Sequence, residues 1–103
     1  MNNIYTGTFD NTNWYQVFKN GIPFTHDRSY KHVTHSRDGF SWGYLGSGCA
    51  QLAFAILLEE TNSPTLSQRL YQTFKGEIIG ALPQEGGWKL TSDDVKRWIE
   101  NQP

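Results

Sequence analysis

Apolar and aromatic positions change rhythm along the chain, and each change predicts an element. Ile4 to Phe9 and Trp14 to Lys19 are rich in aromatic and β-branched residues. The polar run Asp10-Asn11-Thr12-Asn13 separates them, as a turn separates two antiparallel strands. Asn20-Gly21 then follows Lys19 directly, a dipeptide that tolerates the positive φ angles of a type I′ turn, so Ile22 to Phe24 should return as a third short strand. Pro23 has no N–H to give to a ladder, which places that strand at a sheet edge. From Ser47 or Gly48 the rhythm is lost in a run from Ala50 to Leu58 that is apolar except for Gln51. A helix apolar nearly all round must be covered on several sides, so it should lie centrally.

Glu59 and Glu60 end the apolar part of this helix, and Thr61-Asn62-Ser63-Pro64 reads as a connector. A second helix should start at Thr65, with Gln68 reaching back as in a capping box. Leu66, Leu70, Phe74 and Ile78 recur every four residues, and Tyr71 and Leu82 broaden their stripe before Pro83 stops the helix. Gly76 and Gly80 each weaken it by roughly 1 kcal/mol relative to Ala and allow a close helix crossing. Gln84-Glu85-Gly86-Gly87 turns the chain into a short strand, Trp88-Lys89-Leu90. Thr91 is an N-cap with Asp93 and Asp94 in the first turn, where the helix dipole favours anions, and a last helix follows to about Asn101. The expected fold is α+β: a small three- to four-stranded antiparallel sheet packed on a central apolar helix, with two further helices.

Size and composition narrow this further. A chain of 103 residues favours one domain over its whole length, and four Trp, five Tyr and six Phe supply the bulk for a core. Nine Lys plus Arg against ten Asp plus Glu create no global field toward nucleic acid or anionic membranes. With Cys49 as the single cysteine there is no intramolecular disulfide and no cysteine-rich zinc site, which fits a reducing compartment. The opening residues do not read as an export signal, and the longest apolar stretch is well short of the roughly 20 residues that span a bilayer. A cytoplasmic protein without membrane contact is expected.

The least ordinary stretch is Asp38 to Leu58, DGFSWGYLGSGCAQLAFAILL. It resembles a small family of uncharacterised bacterial and phage proteins that share the pattern DGFxWGYxGSGxAQLAxAIL, matched here from Asp38 to Leu57. The order of a YTG-type early strand, an aromatic-Lys pair at Phe74-Lys75 and a W-x-L-T before the last helix is also similar. The resemblance implies no assigned activity. Its phage and prophage occurrence implies an accessory factor that binds a protein, such as an inhibitor of a host defence enzyme.

Several side chains in and before this stretch carry potential chemistry. Gly46-Ser47-Gly48 at a helix start can present backbone N–H groups to a phosphate, and Trp42 and Tyr44 can stack a base beside it. The plainer reading is a tight turn capped by Ser47 with two aromatics covering the helix. Cys49 at the same helix end, with His26, His32 or His35 as base, is the one enzyme candidate, a Cys-His hydrolase. The family pattern tends to place Pro where Cys49 stands, which argues against it. The segment His26 to Arg37 holds all three His and has no clean period, so it reads as exposed and irregular. Its Arg28, Tyr30, Lys31 and Arg37 suit an acidic surface or a phosphate, although an ordinary exposed loop is the plainer reading. The His spacing matches no common zinc pattern, Asp38 has no role beyond a turn, and no catalytic set, metal or cofactor is called for. The chain therefore reads as a non-enzymatic binding module for a protein partner. A nucleotide-binding or sequestering protein is the alternative.

Overall fold

The computed structural model describes residues 2–10, 12, 14–36 and 39–103. The turn residues Asn11 and Asn13 lie outside that set. Four strands, β1 (Ile4–Asp10), β2 (Trp14–Lys19), β3 (Ile22–Pro23) and β4 (Trp88–Thr91), form one antiparallel sheet in the order β3-β2-β1-β4. The helices are α1 (Asp27–Tyr30), α2 (Ser47–Thr61), α3 (Pro64–Glu77) and α4 (Ser92–Glu100), with a 3-10 turn at Ile79–Ala81. Asn20 and Gly21 both adopt positive φ, 54° and 80°, so the hairpin forms as its dipeptide predicts. β3 is the edge strand that Pro23 requires.

Pairing of Tyr5 with Leu90 and Lys19, and of Gly7 with Trp88 and Val17, puts these residues on one face of the sheet. That face meets α2, in which every residue from Gly48 to Leu58 is buried. The apolar run is thus the centre of the molecule, with α3 along another side and Val95 of α4 closing the core. At the C-terminal end of α2, Glu59 binds both Lys19 and the Arg28 Nη1, the latter at 2.9 Å, and the Tyr5 hydroxyl donates to Glu60. Burial alone would raise the Glu59 carboxyl, but hydrogen bonds from Lys19 and Arg28 outweigh it and hold the group below the usual carboxylate range. The two cations also offset the unfavourable placing of an acid at a helix C-terminus.

Gly7 is glycine because the Trp88 indole lies on it. An added Cβ would fall well inside contact distance of Nε1, Cε2 and Cζ2 of that ring. Gly7→Ala should therefore displace a buried indole and cost about 2 kcal/mol, as overpacking does. Urea unfolding at fixed m-value measures this, and an unchanged midpoint would show that the indole moves freely.

Three expectations need correction. Ser63, rather than Thr65, caps α3, accepting from Leu66 N at 3.1 Å, because Pro64 with its fixed φ takes the first helical position. α3 ends at Glu77, short of Leu82, and Gly80 admits the Tyr44–Leu45 loop, whose Tyr44 carbonyl would lie 3.1 Å from a Cβ there. Thr91 does form its capping box with Asp94, whose carboxyl is held low chiefly by the Thr91 backbone N–H. Third, the 26–36 segment is not simply exposed. Ser29 and Ser36 are buried, and α1 turns within it.

Candidate functional site

Gln51, the one polar side chain inside the apolar run of α2, is 0% exposed and explains that segment. Its Oε1 accepts the backbone N–H groups of His35 and Ser36, and its Nε2 donates to Ser29 Oγ at 2.9 Å and to the Val33 carbonyl at 3.2 Å. A buried amide satisfied four ways fixes the chain that crosses it. The Tyr30 hydroxyl donates to the Ser36 carbonyl and accepts from Gly39 N, and its ring stacks on His26 at 4.0 Å.

The strap so held, residues 26–36, borders two adjoining clefts, with His26 lining the first and Ser36 the second. The first, about 380 Å³, runs between β2 and Gly39–Phe40 and is lined by Trp14, Tyr15, Phe24, His26 and Phe40. Consecutive residues from Trp14 to Phe18 line it, so it follows the strand's edge rather than one face. β3 pairs only with Phe18 and Lys19, and Phe24 N donates to the Val17 carbonyl at 2.8 Å. By strand alternation, the N–H of Tyr15, two residues before Val17 and beyond the end of that pairing, points toward the cleft. The second cleft, about 300 Å³, shares Trp14, Tyr15, Gly39 and Phe40 and adds Ser36, Ser41, Tyr44, Ser47 and Gly48.

Trp14 stands between the two. It is 63% exposed, and its φ of 63° is a left-handed conformation that a bulky side chain adopts only at a cost of about 1–3 kcal/mol. Sequence patterning places Trp14 in a strand and does not mark it as a site residue. The signal available was its position directly after a polar turn.

The named candidates separate. Tyr44, Ser47 and Gly48 line the second cleft, and Gly46 borders it under the Tyr44 ring. Trp42 does not join them. It is 0% exposed, edge-on to Tyr15 at 4.9 Å and to Trp88 at 5.3 Å, so no ring face is left for a base to stack on. Arg28 is at the other end of α2, bound to Glu59 and to Asn62 Oδ1, and at 1.5 Å per residue that end is roughly 18 Å from Ser47. Tyr30 is engaged with Ser36 and His26, and Lys31 is exposed at the end of α1. Arg37 and Asp38 lie outside the described residues.

Both glycines of the turn have packing reasons. A Cβ on Gly46 would enter the Tyr44 ring, and one on Gly48 would meet Ser41, 3.1 Å from its backbone N. Tyr44 OH is 2.9 Å from Ser41 Oγ. Ser47 makes no side-chain cap, so α2 starts on Gly46 with its carbonyl accepting from Ala50 N at 3.2 Å. Cys49 is fully buried with Sγ 3.7 Å from Ser41 Oγ, which denies a Cys-His hydrolase a reachable nucleophile. Among the described residues, no three His, Cys, Asp or Glu gather in a group that would hold a metal.

These features define a small α+β domain whose accessible relief is an aromatic slot at a strand edge joined to a hydroxyl-lined cleft. The family model that matches spans residues 5–101, and the chain belongs to that family, a family of unknown function designated DUF6166. No curated protein and no solved structure matches it. No helix among the described residues is long and apolar enough to cross a membrane.

Proposed function

We propose that the chain is a non-enzymatic binding module that docks a segment of a protein partner in the aromatic slot beside Trp14. The observation that carries this reading is Trp14 itself, an exposed indole in a strained backbone conformation where two clefts meet. Exposed aromatics set in such relief are the commonest anchors of protein interfaces. Tyr44, 45% exposed, lines the second cleft together with Trp14 and extends the aromatic surface there. The outward N–H of Tyr15 suits an extended partner backbone, which would add to the sheet beyond Phe24, where the pairing with β2 stops. The resemblance of the Asp38–Leu57 motif to phage and bacterial proteins supports a phage or mobile-element accessory role in the cytoplasm, such as inhibition of a host defence enzyme.

Trp14→Ala tests the reading. Removing an interface anchor should weaken partner capture about thirtyfold, while folding stability stays within about 1 kcal/mol because the ring is mostly in solvent. Affinity capture from the native host, with wild type and variant compared by mass spectrometry, reads the first, and thermal unfolding reads the second. A partner held equally by both proteins would remove the slot from the interface.

A second reading is a nucleotide or other anion in the hydroxyl-lined cleft, favoured by Ser36, Ser41, Tyr44 and Ser47 converging at the start of α2. Calorimetry with ATP and with inorganic phosphate separates it from the first. Heat on mixing that Ser47→Ala leaves unchanged would place the anion elsewhere.

A further inference from the structure

The His35 ring is packed between two aromatic side chains in a setting that disfavours a proton. Its ring stacks on Tyr71 of α3 at 4.2 Å and 22°, and lies edge-on to Phe54 of α2 at 6.0 Å. Its Nε2 is buried and has no hydrogen-bond partner. In the neutral ring this nitrogen can be a bare acceptor, which is a modest cost. In the imidazolium it becomes a buried N–H donor with nothing to receive it, which is a large one.

The charged group acting on the ring is Lys75, one turn beyond Tyr71 on α3, and Phe54 and Gln51 of α2 carry no charge. Burial first, and the Lys75 ammonium second, hold the His35 imidazole below the ordinary histidine value. The Tyr71 face would attract a cation and so acts against these two influences. The backbone N–H groups of His35 and Ser36 are the two that Gln51 Oε1 accepts, so the ring and the Gln51 anchor rise or stay together.

We propose that residues 33–36 form an acid-released latch over the groove between α2 and α3: a proton on His35 lifts the segment, breaks both bonds to Gln51 Oε1 and uncovers Phe54. Phe54 is 1% exposed in the closed state and forms the floor of a shallow cleft of about 450 Å³ with Val33 and Pro64. Ser36 is also a wall of the hydroxyl-lined cleft, so release reshapes that cleft from one side. The latch depends on none of the ligand assignments made above. A histidine whose folded value is depressed adds stability that is complete above its unfolded value, near 6.5, and is lost as pH falls through the folded value. Closure therefore belongs to neutral pH and release to acid.

Amide hydrogen exchange on the whole chain tests this, read as protection factors so that the intrinsic pH dependence cancels. Between about pH 7.5 and about pH 5, protection at the His35 and Ser36 amides should fall about tenfold in the wild type while Leu57 in α2 is unaffected. His35→Phe keeps the stack and cannot titrate, so its two amides should stay protected across the range. A fall shared by His35→Phe, or no fall in the wild type, overturns the latch. Should His35→Phe not fold, Lys75→Met serves instead: removing that charge should move the midpoint of the fall to higher pH, and an unmoved midpoint assigns the transition to another group.

Discussion

Trp42→Ala is expected to cost about 4 kcal/mol, the range for deleting a buried indole, and to lower the melting temperature by about 20 °C. Trp42 is the largest of the fully buried side chains, set between Tyr15, Trp88 and the start of α2. Its removal leaves a cavity where the sheet, the loop before α2 and the helix itself meet. A domain of this size has about 5–15 kcal/mol to lose, so the variant should populate unfolded chain measurably at ambient temperature. Urea denaturation followed by tryptophan-independent far-ultraviolet dichroism checks this. A stable Trp42→Ala that nonetheless loses a ligand would return Trp42 to the binding surface.

Gln51→Leu should be nearly as damaging, at about 3 kcal/mol, although it puts a favoured helix former and an apolar side chain into an apolar helix. Sequence logic alone would score the change as an improvement. The loss arises because the N–H groups of His35 and Ser36 and the Val33 carbonyl would face a methyl group, while Ser29 Oγ keeps its bond to the His26 carbonyl. Each buried group left unpaired costs about 1–3 kcal/mol, and strap relaxation recovers part of it. The expected signature is a fall in melting temperature of about 15 °C, with the 29–36 amides losing protection before those of α2. A neutral Gln51→Leu would mean that the strap is held by its aromatic stacks alone.

Residues 4–10, 14–24 and 88–100 were legible because their signals are local. Alternation, the Asn20-Gly21 turn, Pro23 at the edge and the Thr91–Asp94 box each act within a few residues, and the structure follows them. The continuous run from Ala50 to Leu58 could only be buried. What the sequence hides is what depends on a distant partner. Arg28 reads as a solvated cation until Glu59 and Asn62, more than 30 positions away, are seen to bind it. Gln51 reads as an interruption of an apolar helix until the strap is laid across it. Trp14 and Trp42 are chemically identical in a string of letters, and only the folded chain puts one in water and the other at the centre.

The order β3-β2-β1-β4 also bears on how the protein is made. β1 lies inside the sheet, yet its second neighbour is drawn from 81 to 87 positions further on, since Ile4 pairs with Thr91 and Gly7 with Trp88. During synthesis the N-terminal hairpin must therefore wait with one side of β1 bare until residue 91 has left the ribosome. Such an edge templates unwanted pairing between chains, and the pairing that finally closes it spans nearly the whole domain and is slow for that reason. The half-made protein is the form most in need of a chaperone.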